Sequence, residues 1–293
     1  MAIKRKKSFR DRHDGRRLMT IDPFVAMLPF IMKQKNEASN YFTDTVDITN
    51  IEKYLRKKRK KGYPGLGFLH LFMAIFIRVV SQYPAINRFC SGQRIYSRRD
   101  IEFIMVIKKE LKTSAGETSI KITFTPEATI DDVYQKLSEE LHKVKNKGEI
   151  TTSDKLATAF MKLPRIILRF TVAFLKFLDY FGLMPKSLVK ESPFHGSMII
   201  TDLGSIGLPA IYHHLYNFGN LPIFAAIGPK KRIRKIGADG SVDIKKYAEY
   251  KLVVDERICD GFYFSQAFKL FRSLLNNPEE LEEPPKSVNE DID

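Results

Sequence analysis

Between residues 120 and 144 the spacing of apolar positions changes from two to between three and four. Ile120, Ile122 and Phe124 alternate with polar residues, as on a half-buried strand. Ile130, Val133, Tyr134, Leu137, Leu141 and Val144 then fall on one helical face, and Thr129 with Asp132 forms a capping box ahead of them. The same two periods recur along the chain. Thr49 with Glu52 predicts a second capping box, opening the helix NIEKYLRKKRKK that stops at Gly62. Residues 66–82 are apolar on nearly every face, which predicts a helix buried on most sides, and YPAIN breaks it. IEFIMVIKK and TSIKITFT read as strands divided by a turn at SAGE. SMIITDLG, LPIFAAIG and YAEYKLVVD read as three more, the last two joined by a hairpin turn at GADGS. VKNKGEITTSDK is polar and reads as a loop. Phe264, Ala267, Phe268, Phe271 and Leu275 line the apolar face of a C-terminal helix. Strands separated by helices, several joined by short turns, predict an α+β sandwich with a mixed sheet.

No linker divides the chain and no repeat is evident. The reading is one domain over 16–278, a basic and partly mobile head at 1–15, and an acidic, partly mobile tail at 279–293. Two stretches are apolar enough to raise a membrane question. Residues 66–80 are short for a span and contain His70 and Arg78; residues 161–185 are interrupted by Lys162, Arg165, Arg169, Lys176 and Asp179. Neither reads as a transmembrane helix. Both fit helices buried against their own domain or another subunit, and 161–185 also fits peripheral membrane contact, basic side out.

Charge narrows the class of partner. Against 34 Asp and Glu stand 49 Lys and Arg, a net charge of +15 in 293 residues. This suits a membrane surface, a phosphorylated small molecule or simply a well-solvated surface. No nucleic-acid module follows the basic head, so no nucleic-acid partner is expected. Cys90 and Cys259 are the two cysteines and no secretory signal is evident, which points to a reducing, cytoplasmic setting. No clustered Cys/His spacing predicts a metal.

Four segments carry a resemblance. DTVDITNIEKYLRKKRKK with its following apolar helix and YPAIN, then SMIITDLGSIG, LPIFAAIGPKK and DERICDGFYFSQAFKLFRSLLNNP resemble, in order, motifs of the chloramphenicol acetyltransferase-like fold. The resemblance extends to the catalytic core of the dihydrolipoyl acyltransferases of 2-oxoacid dehydrogenase complexes, and DGRRLMTIDPF is similar to the Arg-Arg segment of the chloramphenicol enzymes. It covers most of residues 14–278. It implies a two-layer sandwich with a large mixed, mainly antiparallel sheet and flanking helices. Residues 155–190 form a longer segment than such a core usually has there. The chain has no room for a lipoyl domain, so a stand-alone core with no lipoyl group is expected.

The same resemblance implies a homotrimer with active sites between subunits. A base takes the proton from a thiol or hydroxyl acceptor, which attacks an acyl-CoA thioester, and a strand hydroxyl donates to the oxyanion. Thr201 takes the hydroxyl position, or else is an ordinary strand threonine. The family's histidine is replaced by Glu256. A glutamate becomes a useful base at neutral pH when burial raises its pKa; otherwise Glu256 belongs to an ion-pair network with Asp255 and Arg257. Asp202 stands where Asn or Ser is usual. Asp260 and Gly261 shape the turn, with Arg16 or Arg17 the expected partner of Asp260. His213 and His214, then His195, are substitute bases; Cys259 is an acyl acceptor or an inert buried thiol. Lys230, Lys231 and Arg232, with Arg234 and Lys235, are candidates for CoA phosphates or a solvated basic hairpin. Two functions follow: CoA-dependent acyl transfer with Glu256 as base, or a catalytically silent trimer that binds acyl-CoA or acts as a scaffold.

Overall fold

The computed structural model describes residues 8–108, 116–147, 152–236 and 239–292. Nine strands and eight helices are present among them. In chain order they are β1 (Gly15–Arg17), α1 (Pro23–Ile31), β2 (Ser39–Asp47), α2 (Thr49–Lys60), α3 (Phe68–Gln82), β3 (Arg88–Ser91), β4 (Arg94–Arg98), β5 (Ile101–Lys108) and β6 (Glu117–Phe124). Then follow α4 (Ile130–Lys147), α5 (Thr152–Met161), α6 (Arg165–Tyr180), α7 (Lys186–Glu191), β7 (Met198–Asp202), β8 (Ile223–Ile236), β9 (Val242–Asp255) and α8 (Gly261–Asn276).

Six strands form the main sheet in the order β2-β9-β8-β7-β5-β6. The β8–β7 and β7–β5 pairs are parallel and the other three antiparallel. A small sheet, β1-β4-β3, sits beside it. The chain is thus α+β, with a large mixed sheet and flanking helices, as the strand and helix periods predict.

Side-chain alternation gives the main sheet two different faces. Phe103, Met105, Met198, Ile200, Ala225, Tyr250 and Leu252 point to one face and join the large core with α2, α3, α4 and α8. Helix α3 lies within that core and is buried over nearly its whole length. Its one guanidinium, Arg78, donates through Nη1 and Nη2 to the carbonyls of Glu280 and Glu283, while its Nε is buried without a partner among the described residues. The opposite face carries a smaller cluster of Ile104, Ile199, Phe224 and Val253, covered by Leu215 and Leu221 of the 207–222 segment.

The Thr129–Asp132 box forms as expected, with the Asp132 carboxylate accepting from the Thr129 amide at 2.8 Å. The Thr49–Glu52 box does not. The β2–β9 ladder runs into the helix start: the Ile48 amide donates to Lys246 and the Lys246 amide donates to Thr49 Oγ1. Ile48 becomes the cap residue, and Glu52 turns to Lys230. The predicted loop at 144–155 is shorter than read, because α4 continues to Lys147 and α5 begins at Thr152. The first two residues of the SAGE turn, and the first two of GADGS, lie outside the described residues.

Both chain ends lie against the domain where they are described, rather than standing off as charged extensions. Buried Arg12 pairs with Asp14 and, at 2.7 Å, with Asp179 on α6. Asp291 takes the guanidinium of Arg88, and the Asn289 amide donates to the Ser81 carbonyl. Helix α6 also departs from expectation: unlike α3 it leaves one apolar side uncovered.

Candidate functional site

The DERICDG turn leaves the end of β9 and enters α8. Its first anchor is a buried fork: Arg257 Nε and Nη2 donate to the two oxygens of Asp255 at 2.8 and 2.6 Å. Arg257 Nη1 reaches the Met32 carbonyl at 2.7 Å. Asp255 is fully buried and Arg257 nearly so. Such a bidentate pair fixes backbone direction as well as charge. Glu256, between them, is half-buried and tied through its amide to the Ala38 carbonyl. The ion-pair network foreseen for this turn therefore exists, but its members are Asp255 and Arg257.

Asp260 is the second anchor. Its carboxylate accepts from the Tyr263 amide at 2.9 Å and so caps α8. The expected pairing with Arg16 or Arg17 is replaced. Arg16 reaches the carbonyls of Asp291 and Ile292, and the Arg17 amide donates to Asp11. A helix that starts at Gly261 presents free amides to an adjacent carboxylate, and the exposed Asp260 takes them.

Thr201 lies near the end of β7, in register with Ala226 on β8 and, through it, Lys251 on β9. Its alternation with core residues Met198 and Ile200 puts it on the face away from the main helical layer. Asp202 does not enter that face: its carboxylate accepts from the Ser205 amide at 3.2 Å. Burial raises its pKa. Lys251, which the sequence reading did not single out, stands on the Thr201 face with its ammonium 4.9 Å from the centre of the Tyr212 ring. Glu256 follows the end of β9, five positions after Lys251, about 17 Å along extended chain. Within one chain, Thr201 lies near the end of β7 that points away from the DERICDG turn and Glu256.

Of the histidines, His213 is tied to the Thr201 neighbourhood through β8. Its ring stacks on Phe224 at 4.2 Å, and Phe224 is two residues along β8 from the partner of Thr201. His213 Nε2 is buried with no hydrogen-bond partner among the described residues. Burial, then neighbouring His214, lower its pKa. His214 itself is exposed, edge-on to Tyr216. His195 is elsewhere and fully buried, with Nδ1 2.8 Å from Ser192 Oγ and Nε2 3.3 Å from Asp179. Burial alone would raise the pKa of Asp179, but His195 and Arg12 hold it low. This is the interior of a structural network. Cys259 is buried and its thiol pushed up to about 12, which leaves it an inert thiol at neutral pH.

The basic cluster is part of a ribbon. Lys230 pairs with Glu52, and Lys231 and Arg232, adjacent in β8, project to opposite faces. Arg232 instead shares its face with Arg234 and Lys246, its cross-strand partner. A separate cleft of about 340 Å³ lies by the DERICDG turn, lined by Lys33, Lys35, Lys176, Asp179 and Arg257. Burial brings Lys35 down to about 8 while its ammonium donates to the Tyr216 and Gly219 carbonyls. Among the described residues no group of three His, Cys, Asp or Glu side chains could hold a metal, and no helix is long and apolar enough to cross a membrane.

No family model and no curated protein matches the sequence. Solved structures do match. A probable dihydrolipoamide acetyltransferase from Listeria monocytogenes is 14% identical, with a TM-score of 0.57 over 94% of this chain and 99% of its own. The cubic core of the pyruvate dehydrogenase multienzyme complex is 13% identical, with a TM-score of 0.57 over 90% of this chain and 93% of its own. A chloramphenicol acetyltransferase is 12% identical, with a TM-score of 0.50 over 88% of this chain and 99% of its own. The order of strands and helices, and the turn that carries Asp260, thus give this chain the chloramphenicol acetyltransferase-like fold, in the form found in the dihydrolipoamide acetyltransferase catalytic cores.

Proposed function

We propose that the chain transfers an acyl group from a CoA thioester to a thiol or hydroxyl acceptor, working as a homotrimer. The observation that carries this reading is the separation of Thr201 from Glu256. In one chain they cannot meet over the same substrate. A second subunit can bring its Glu256 to the open sheet face where Thr201 stands. The Glu256 carboxylate takes the acceptor's proton as the acceptor oxygen or sulfur attacks the thioester carbonyl. The Thr201 hydroxyl donates to the oxyanion. Collapse breaks the carbon–sulfur bond, and the CoA sulfur leaves with the proton returned from Glu256. Lys230, Lys231 and Arg232 remain the proposed contacts for CoA phosphates, with the shared face of Arg232, Arg234 and Lys246 better placed to converge on one group.

A second assignment of the base is favoured by His213. Its partnerless Nε2 and its place on the Thr201 face suit a neutral imidazole acting within the same subunit. The non-enzymatic alternative is a silent trimer that binds acyl-CoA.

Release of free CoA thiol from a panel of acyl-CoAs, with a dithiol or simple alcohol as acceptor, tests all three. If Glu256 is the base, Glu256→Gln lowers the rate by about 10²–10⁴ and His213→Gln does not. If His213 is the base, the pattern reverses. Transfer by Glu256→His but not by the parent supports the silent trimer. A monomer mass by light scattering across micromolar concentrations removes the shared site.

A further inference from the structure

Helix α6 is amphipathic in an unusual sense, because its uncovered side is the apolar one. At about 100° per residue, Ile166, Phe170, Phe174, Phe177 and Phe181 fall within a strip of about 80° along α6 and the residue that follows it. Phe170 is 70% exposed and the least exposed of the five, Phe177, is 54% exposed. The inner side is carried by Leu168, Leu175, Leu178 and buried Asp179. Between the two runs a basic edge of Arg165, Arg169 and Lys176. The one acidic side chain on α6, Asp179, is turned inward to Arg12. Exposed strips of large apolar groups are rare on soluble monomers and mark something that covers them.

Helix α1 repeats the arrangement on a smaller scale. Phe24, Met27, Phe30 and Ile31 are all exposed on it. The two helices share the cleft of about 340 Å³: Pro29 of α1 and Lys33 just beyond it face Lys176 and Tyr180 of α6, with Lys35 and Arg257 deeper in. Asp179 is the only carboxylate in the lining. The surface therefore combines apolar side chains that need covering with cations gathered around a recess between them.

We propose that α1 and α6 form a monotopic membrane-binding surface, in which the apolar strips enter the boundary of an anionic bilayer while Arg165, Arg169, Lys176 and Lys33 hold phospholipid headgroups. Interfacial helices combine these features: a large apolar side, basic flanks and no span. Charge complementarity decides the occupant. Two copies meeting through this patch in an isologous contact would set the same cations against each other, in a chain of net charge +15. An anionic leaflet satisfies both the apolar strip and its basic edge. The proposal is independent of the acyl-transfer reading and its test uses no substrate.

The full chain is sedimented with phosphatidylcholine vesicles with and without phosphatidylglycerol, at low and high salt. Binding is expected only with phosphatidylglycerol and is weakened by salt. The triple variant Phe170→Glu/Phe174→Glu/Phe177→Glu should abolish it without changing the thermal melt. Reversing Arg165, Arg169 and Lys176 to Glu should weaken it by about a hundredfold. Since the chain has no tryptophan, Phe174→Trp at this exposed position supplies a single indole that can be excited apart from the tyrosines. Its emission should shift to the blue with anionic vesicles and be quenched by brominated lipid. No binding at low salt, or an unshifted emission, overturns the proposal. So does a triple variant that keeps its vesicle binding but sediments with a smaller mass, which would make the strip a contact between subunits.

Discussion

Asp260 and Asp255 lie five residues apart in the same turn and carry different loads. Asp260 is an exposed cap, so Asp260→Ala should cost about 1 kcal/mol in urea unfolding. Asp255→Ala strands a buried guanidinium and should cost about 3–5 kcal/mol. Equal losses would show that the turn is not held as described. His70 gives the fold a pH dependence. It is buried at the start of α3, its Nδ1 accepts from the Gly67 amide, and burial, then Arg59, bring its pKa down to about 4. The folded protein thus binds this proton less readily than the unfolded chain, whose histidine titrates near about 6.5. Stability is complete above about 6.5 and falls as the pH drops toward 4, by about 3 kcal/mol over the window. The urea midpoint of His70→Gln should decline less than that of the parent between these pH values. Parallel declines would remove the assignment.

The 207–222 segment covers the smaller face of the sheet and positions His213, and Gly219 is what holds it close. With φ of +75°, a Cβ there would overlap the Phe194 carbonyl, and the Gly219 carbonyl accepts from buried Lys35. Gly219→Ala should lower stability by about 1–3 kcal/mol, and a thermal melt equal to the parent's would show that the segment tolerates displacement. This region also marks how far the sequence could be read. α4 was legible because Thr129 and Asp132 cap it locally and its apolar stripe is long. α1 was not: Pro29 interrupts it and it has no polar side to set a period. β1, β3 and β4, of three to five residues, are too short to alternate visibly. At the site, the place of Thr201 on a strand and the helix start at Gly261 follow from local pattern. The Asp255–Arg257 fork was foreseen only as a general ion-pair network. The stacking of His213 on Phe224 and the pairing of Arg12 with Asp179 depend on residues brought together by the fold, and no local window contains them. The Thr49–Glu52 box failed for a related reason, because β9 claims Thr49 before the helix can.

At the scale of the whole molecule the main sheet closes on one side only. Its helical face is packed over all six strands, whereas the Thr201 face is covered in part, with Tyr41 exposed upon it. A trimer that shares its sites would use this open face. β7 leaves β8 at Ile227 and β2 leaves β9 at Tyr247, the partner of Lys231, so beyond that point β8 and β9 continue alone as a two-stranded ribbon. The outer ribbon therefore has two open hydrogen-bonding edges and exposes Ile233, Ile236, Val242 and Ile244. Such an edge is a template on which a like chain can add, the first step toward fibrils. Lys231, Arg232 and Arg234 interrupt its apolar positions and make like ribbons repel, so they guard solubility whether or not they ever touch a phosphate. Replacing all three by Thr should leave the melting temperature near that of the parent and produce a rise in thioflavin fluorescence on storage. A variant that stays soluble and dark would show that the ribbon's edges are protected by something other than charge.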